Sequence, residues 1–355
     1  MKLLERARPE ILALQPYSSA RMESGVAATM LNANESPWPA SCTAPALNRY
    51  PDPQPAPLRA ALAGFYAVAP GNILIGRGSD EAIDLLVRAF CRPGYDAITI
   101  ASPTFGMYAV AARVQGADVI EVPLTPGFVL DAKALLAAVT PDTKLVFVCS
   151  PNNPTGGLVP LPMLAHLAQA LRDRAVLVVD EAYIEFADGA ASAMTLLDRH
   201  DNVAVLRTLS KAHALAGARV GVLIAAAPLV ALVRRIQAPY PLPMPSVDAA
   251  LSALSVSALA ATDQRVTAIC RERERMARAL AGLAEVLAVF DSAANFLCVR
   301  FVDARKAWRR LAASGIVVRD VSRYPQLADC LRITIGTPEE NAALLGALDA
   351  RKAAA

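Results

Sequence analysis

Two neighbouring stretches decide the fold: AVLVVDEAY, residues 175–183, and VAVLRTLSKAHALAGARVGVLIA, residues 203–225. Each opens on an unbroken apolar run rich in valine. Such a run, without polar alternation, predicts a strand buried on both faces, as in a parallel sheet covered by helices. Polar residues are crowded where the first run ends (Asp180, Glu181) and between the second and RVGVLIA (Ser210, Lys211, His213, Arg219). In open α/β sheets ligands gather beyond the carboxyl ends of the strands. Lys211 is one of only six lysines, at positions 2, 133, 144, 211, 306 and 352, in a chain with 35 basic residues.

Outward from there the pattern repeats. Upstream, NILIG, DAITIAS, ADVIEVPL and KLVFVCS read as strands. Helical segments alternate with them: PLRAALAGFYAV, SDEAIDLLVRAF, a stretch from about 105, one near 131–138 and one near 162–172. The acids at the start of SDEAIDLLVRAF suit the first turn of a helix. This alternation predicts an α/β architecture, a large domain with a mostly parallel central sheet sandwiched by helices. Downstream of the proline-rich PYPLPMP, residues 246–283 read as one long helical stretch whose RERERMARAL segment is a solvated face. Residues 284–350 then run strand, strand, helix, strand, strand, helix, a small C-terminal α+β domain. The expected organisation is an N-terminal arm over 1–45, a large domain over 46–245 and a small domain over 246–355.

Bulk properties narrow the function. The net charge is +3 and 55% of residues are hydrophobic, which argues against nucleic acid or an acidic membrane as the main partner. The N-terminus lacks a signal-peptide core, and the longest apolar run, 220–233, is interrupted by Pro228 and short of a membrane span. Six scattered cysteines without a CxxC pair suit a reducing compartment, and three histidines show no metal-ligand spacing, so no metal is expected. A cytoplasmic enzyme fits these features.

Four polar segments fall at the ends of strands. GRGSDE (76–81) offers backbone N–H groups at a helix start, suited to a phosphate. SPNNPTG (150–156) is a tight polar turn, DEAY (180–183) puts a carboxylate at the end of a buried strand, and SKAHALAGAR (210–219) holds the lysine. Singly, each has an ordinary structural reading: a capped turn, a proline turn, a salt bridge, a surface lysine. Together they supply an amine that can attack a carbonyl, a carboxylate for a ring nitrogen, donors for a phenolic oxygen and a phosphate cradle. Those are the needs of pyridoxal 5′-phosphate.

On LNANESP, NRYPDPQ, GRGSDEAIDLL, SPTFGMY, SPNNPTG, DEAYIEF, RTLSKAHALAGARVG and LRITIGT, the chain resembles the fold-type-I pyridoxal-phosphate-dependent aminotransferases, and within them the histidinol-phosphate branch. The resemblance runs from about Pro16 to the end. It implies that Lys211 bonds covalently to the cofactor and later moves a proton. It implies that Asp180 pairs with the pyridinium nitrogen, and that Asn152 and Tyr183 bond the phenolic oxygen. Ser79, Asp80, Ser210 and Arg219 would hold the cofactor phosphate, Phe105 would stack on the ring, and Tyr50 would reach in from the partner subunit of a homodimer. Arg332 would bind the substrate anion, helped by Arg319 and Tyr17, with Asn34 lining the same site. The implied reaction converts L-histidinol phosphate and 2-oxoglutarate to imidazole acetol phosphate and glutamate. Aromatic aminotransferases and threonine-phosphate decarboxylases share nearly all these loops and remain alternatives. A non-enzymatic cofactor-binding regulator would need an appended DNA-binding module. Two positions depart from the family: Phe105 often is a tyrosine, and His213 stands where an aromatic is common.

Overall fold

The computed structural model describes residues 2–15, 31–40 and 47–349. Its main sheet has seven strands, β1 (Ile73–Arg77), β2 (Ala97–Ser102), β3 (Asp118–Pro123), β4 (Thr143–Cys149), β5 (Val176–Asp180), β6 (Val203–Thr208) and β7 (Val220–Ala225), in the order β1-β7-β6-β5-β4-β2-β3. Only β7 runs antiparallel to its neighbours, β1 and β6. The unbroken apolar runs are explained by burial on both faces. Leu177 and Val179 enter one core with Leu58, Leu62, Leu164 and Leu167, contributed by helices Ala56–Tyr66 and Leu161–Ala170. Val176 and Val178 enter the other with Ile83, Leu86 and Phe90 of helix Ser79–Phe90.

Because β7 is reversed, its first residues lie beside the carboxyl ends of β1 and β6, with Val220 opposite Arg77 and Gly221 opposite Thr208. The segment joining β6 to β7 therefore turns back over the edge where β4 and β5 also end. All four polar segments meet there.

The small domain is a four-stranded antiparallel sheet of β8 (Val286–Val289), β9 (Phe296–Phe301), β10 (Arg319–Asp320) and β11 (Cys330–Thr334), in the order β10-β11-β9-β8. Leu297, Val299, Leu331 and Ile333 face a core shared with helices Val256–Ala281, Ala304–Ala313 and Pro338–Leu348. Cys298 and Cys330, on the opposite face, join a core of the large domain. That contact fixes Arg332, two residues from Cys330, over the main sheet's edge.

Two elements differ from expectation. The single helical stretch over 246–283 is two helices, Met244–Ala253 and Val256–Ala281, bent by 74°. The break comes where the Ser255 hydroxyl accepts a hydrogen bond from the Ala258 N–H and caps the second helix. The strand expected at IVVRD shrinks to Arg319–Asp320. No single helix among the described residues is long and apolar enough to cross a membrane.

Candidate active site

A cavity of about 180 Å³ opens at the meeting point of the polar segments. Ser79, Asp80, Phe105, Asp180, Tyr183, Ser210, Lys211, Arg219 and Arg332, nine residues singled out in the sequence, line it. A larger hollow of about 590 Å³ lies at the outer edge by β1 and helix Ala227–Arg234, but no carboxylate, thiol or lysine lines it.

Asp180 ends β5 and is 2% exposed. Its Oδ2 accepts a hydrogen bond from the Tyr108 hydroxyl at 2.7 Å, and its Oδ1 one from the Ala182 N–H at 3.1 Å. Among the described residues it forms no ion pair. Burial pushes its carboxyl up to about 6, against the pull of both hydrogen bonds. A buried carboxylate with donors on both oxygens but no cation is suited to a cationic ring nitrogen.

The neighbouring Glu181 turns the other way. It accepts from Ser192 Oγ and the Ala193 N–H, both at 2.6 Å, and pairs with Arg207 at 3.1 Å. Arg207 also pairs with Glu185 and lies 5.0 Å from the Tyr66 ring centroid. The structural salt bridge expected of the acid pair thus belongs to Glu181 alone, and it anchors the turn that presents Asp180 and Tyr183.

The cradle at the start of helix Ser79–Phe90 is built by two glycines. Gly78, at φ +78°, precedes helix Ser79–Phe90, and a side chain on it would start 2.7 Å from an Arg219 Nη. One on Gly221 would start 2.2 Å from the Gly78 carbonyl carbon and 2.3 Å from the Ser79 nitrogen. Only bare backbone lets β7 close on the helix start, leaving its N–H groups and Arg219 around one point. Arg219 also pairs with the Asp80 carboxylate at 3.1 Å. Ser210 is oriented by Thr208, whose hydroxyl donates to Ser210 Oγ at 2.9 Å.

Lys211 stands at the cavity mouth, its Nζ 5.5 Å from the Tyr183 ring centroid. Desolvation by the surrounding protein, then the charges of Arg332 and Arg219, holds its amine below the ordinary lysine value, while Asp80 and Asp180 oppose this. The setting is more cationic than the apolar flanks of Lys211 suggest. Arg332 reaches from β11, donates to Asn153 Oδ1 and lies 5.4 Å from the Phe296 ring centroid.

The two adjacent asparagines are placed differently. Asn152 does not line this cavity; Asn153 does. The Asn152 side chain is consumed locally, accepting from Thr104 Oγ1 at 2.8 Å and donating to Pro103 O at 2.9 Å and Thr155 Oγ1 at 2.7 Å. Arg319 lines an adjoining cavity of about 350 Å³ that shares Phe105, Asn153 and Arg332 with the first. Asn34 is exposed, at φ 55°, and lines neither. Tyr50 is 48% exposed and stacks on Tyr240 at 4.5 Å, outside the cavity of its own chain. Tyr17 lies outside the described residues. His213 is buried, edge-on to Phe65 at 5.4 Å and away from the cavity, which suits packing. Sequence reasoning gave no role to Tyr108 or Thr208. The only trace of Tyr108's part was its place in SPTFGMY, and on a buried helix face it reads as core.

The fold and this convergence of lysine, buried aspartate and glycine cradle define a pyridoxal-phosphate-type transferase site. The chain belongs to the class I and II aminotransferases, whose family model matches residues 26–348. It is similar to the histidinol-phosphate aminotransferase of Stenotrophomonas maltophilia, with 53% identity over 99% of this chain and 98% of the relative. The same enzyme of Xanthomonas campestris pv. campestris is likewise 53% identical, over 99% of each chain. Among solved structures, the histidinol-phosphate aminotransferase of Sinorhizobium meliloti in complex with pyridoxal-5′-phosphate superposes with a TM-score of 0.78 at 30% identity, covering 84% of this chain and 82% of that one.

Proposed function

We propose that this aminotransferase moves the amino group of L-histidinol phosphate to 2-oxoglutarate, yielding imidazole acetol phosphate and L-glutamate, with pyridoxal 5′-phosphate as cofactor. The observation that carries this reading is the convergence of Lys211, the unpaired buried Asp180 and the Gly78–Arg219 cradle on one cavity. The donor set fits the cofactor: a bare-backbone cradle with a guanidinium for the phosphate, and a carboxylate awaiting a cation for the ring nitrogen. The backbone of Ser79 and Asp80, with Ser210 and Arg219, would hold the phosphate. Asn153, in place of Asn152, would join Tyr183 at the phenolic oxygen, and Phe105 would cover the ring.

When bound, the cofactor supplies an electron sink that makes the substrate's Cα–H acidic. Lys211 Nζ, held below the ordinary lysine value by desolvation and by the charges of Arg332 and Arg219, takes the proton from Cα and returns it on the other side of the reaction. Tyr108 holds the Asp180 carboxylate aimed at the cavity. Arg332 orients both substrates, because a planar guanidinium fits a phosphate or a carboxylate with two parallel hydrogen bonds.

We further infer a homodimer in the cytoplasm. In support, Tyr50 lies away from its own chain's cavity, and the five cysteines among the described residues are free thiols.

The test is direct. Histidinol phosphate alone, added to purified holoenzyme, should shift the cofactor absorbance to that of the aminated form. Lys211→Ala should fold but not turn over. Borohydride reduction of the wild type followed by peptide mapping should place the label on Lys211; a label on another lysine overturns the site.

A further inference from the structure

The adjoining 350 Å³ cavity is lined by three guanidiniums, Arg319, Arg323 and Arg332, and by no carboxylate. Among the described residues none of the three takes part in an ion pair. Three facing cations without a counter-charge repel one another, so the arrangement favours a ligand of more than one negative charge. Their placement is graded. Arg332 lines both cavities, whereas Arg319 and Arg323 line only the outer one. Arg319 sits directly across from Arg332 in the β10–β11 register.

Arg323 lies in the turn between those strands, its guanidinium 5.5 Å from the Tyr324 ring centroid. The Tyr324 hydroxyl comes within 3.3 Å of where a side chain on Gly106 would begin, beside Phe105. Gln326 of the same turn donates to the Leu124 carbonyl at 3.1 Å, and Leu327 is fully buried in the large domain's core. The turn is thus seated on the large domain, and it places Arg323, itself exposed to solvent, at the rim of the outer cavity.

We propose that Arg323 determines specificity: it contacts the phosphate of the amino donor and not the α-carboxylate of the amino acceptor, the group that takes the phosphate's place on Arg332. This rests on the reading of the donor given above. A phosphomonoester carries a charge of about −1.5 to −2 at neutral pH, where a carboxylate carries one unit. It also lies two bonds farther from the reacting carbon than the acceptor's α-carboxylate does. A carboxylate gripped by Arg332 stops at the junction of the cavities, while a phosphate extends into the outer one.

The two half-reactions separate these cases. Each is followed by cofactor absorbance on holoenzyme, the first with histidinol phosphate, the second with 2-oxoglutarate on the aminated form. Arg323→Gln should lower kcat/KM for the first about tenfold, the scale of one charge-assisted contact at a partly exposed site, and change the second less than twofold. Arg323→Lys should recover most of the loss, and inorganic phosphate should compete less well against the donor in Arg323→Gln than in the wild type. An unchanged first half-reaction, or an equal fall in both, overturns the inference while leaving the enzyme's assignment intact. A wild type that does not convert histidinol phosphate overturns the assignment and this inference with it.

Discussion

Asp180 shows how one side chain can be unfavourable for the fold and suited to the proposed chemistry. Its carboxyl would ordinarily titrate at 3.8, and burial pushes it up to about 6. For a carboxyl raised in the folded state, the stabilising contribution is fully present below the unfolded value and is lost as pH rises through the folded one. In the apoprotein that loss amounts to roughly 3 kcal/mol at neutral pH. Asp180→Asn should therefore raise the melting temperature of the apoprotein at pH 7.5, leave it unchanged near pH 3.5, and still abolish most turnover. Melts of apoprotein at both pH values decide it; a variant no more stable than wild type at pH 7.5 would show that the fold itself does not strain against this carboxylate. Asp180, Lys211 and Arg219 were readable in the sequence because each is an odd residue in an apolar setting. Asn152 and Asn153 were not separable, since adjacent identical side chains in a turn have no period. Contacts with Thr104, 48 residues away, and with Pro103 and Thr155 reveal that Asn152 is the one spent on the local fold.

The strands were readable for a different reason: in a sheet covered on both faces the apolar runs are continuous. The reversal of β7 was not, because an apolar run has no direction. Yet that reversal brings Gly221 against Gly78 and closes the cradle. Gly221→Ala would put a methyl group into backbone, where nothing yields cheaply. It should cost roughly 1–3 kcal/mol of stability and weaken retention of pyridoxal phosphate at least as clearly. Equilibrium unfolding and cofactor titration of the variant check this, and wild-type retention would mean that β7 and the helix start are not tightly coupled. The bend near Ser255 leaves little trace in the sequence, because alanine-rich sequence is helical on both sides of it and its mark is a single capping serine.

For the whole molecule, the proposed homodimer places Tyr50 at the partner's cavity and not at its own. Its loop is tied down within the chain: Arg49 pairs with Glu35 at 2.9 Å, and the Tyr50 N–H donates to Glu35 Oε1 at 2.6 Å. It is also half-exposed, with a proline after it, a stiff projection suited to a second copy. Mixing Tyr50→Ala subunits with Lys211→Ala subunits after reversible dissociation tests this. In a symmetric dimer with shared sites, each hybrid carries both lesions in one site and none in the other. Hybrids should then regain roughly half the wild-type activity per dimer. Mixtures that form hybrids but never exceed the average of their parents would confine Tyr50 to its own chain. The pair of cavities has a consequence of another kind. They meet only at Phe105, Asn153 and Arg332, and the outer one is finished by the short turn between β10 and β11. If Arg323 reads the donor's phosphate as proposed, that turn is an interchangeable adapter: editing it would trade one amino donor for another while the catalytic half stays untouched.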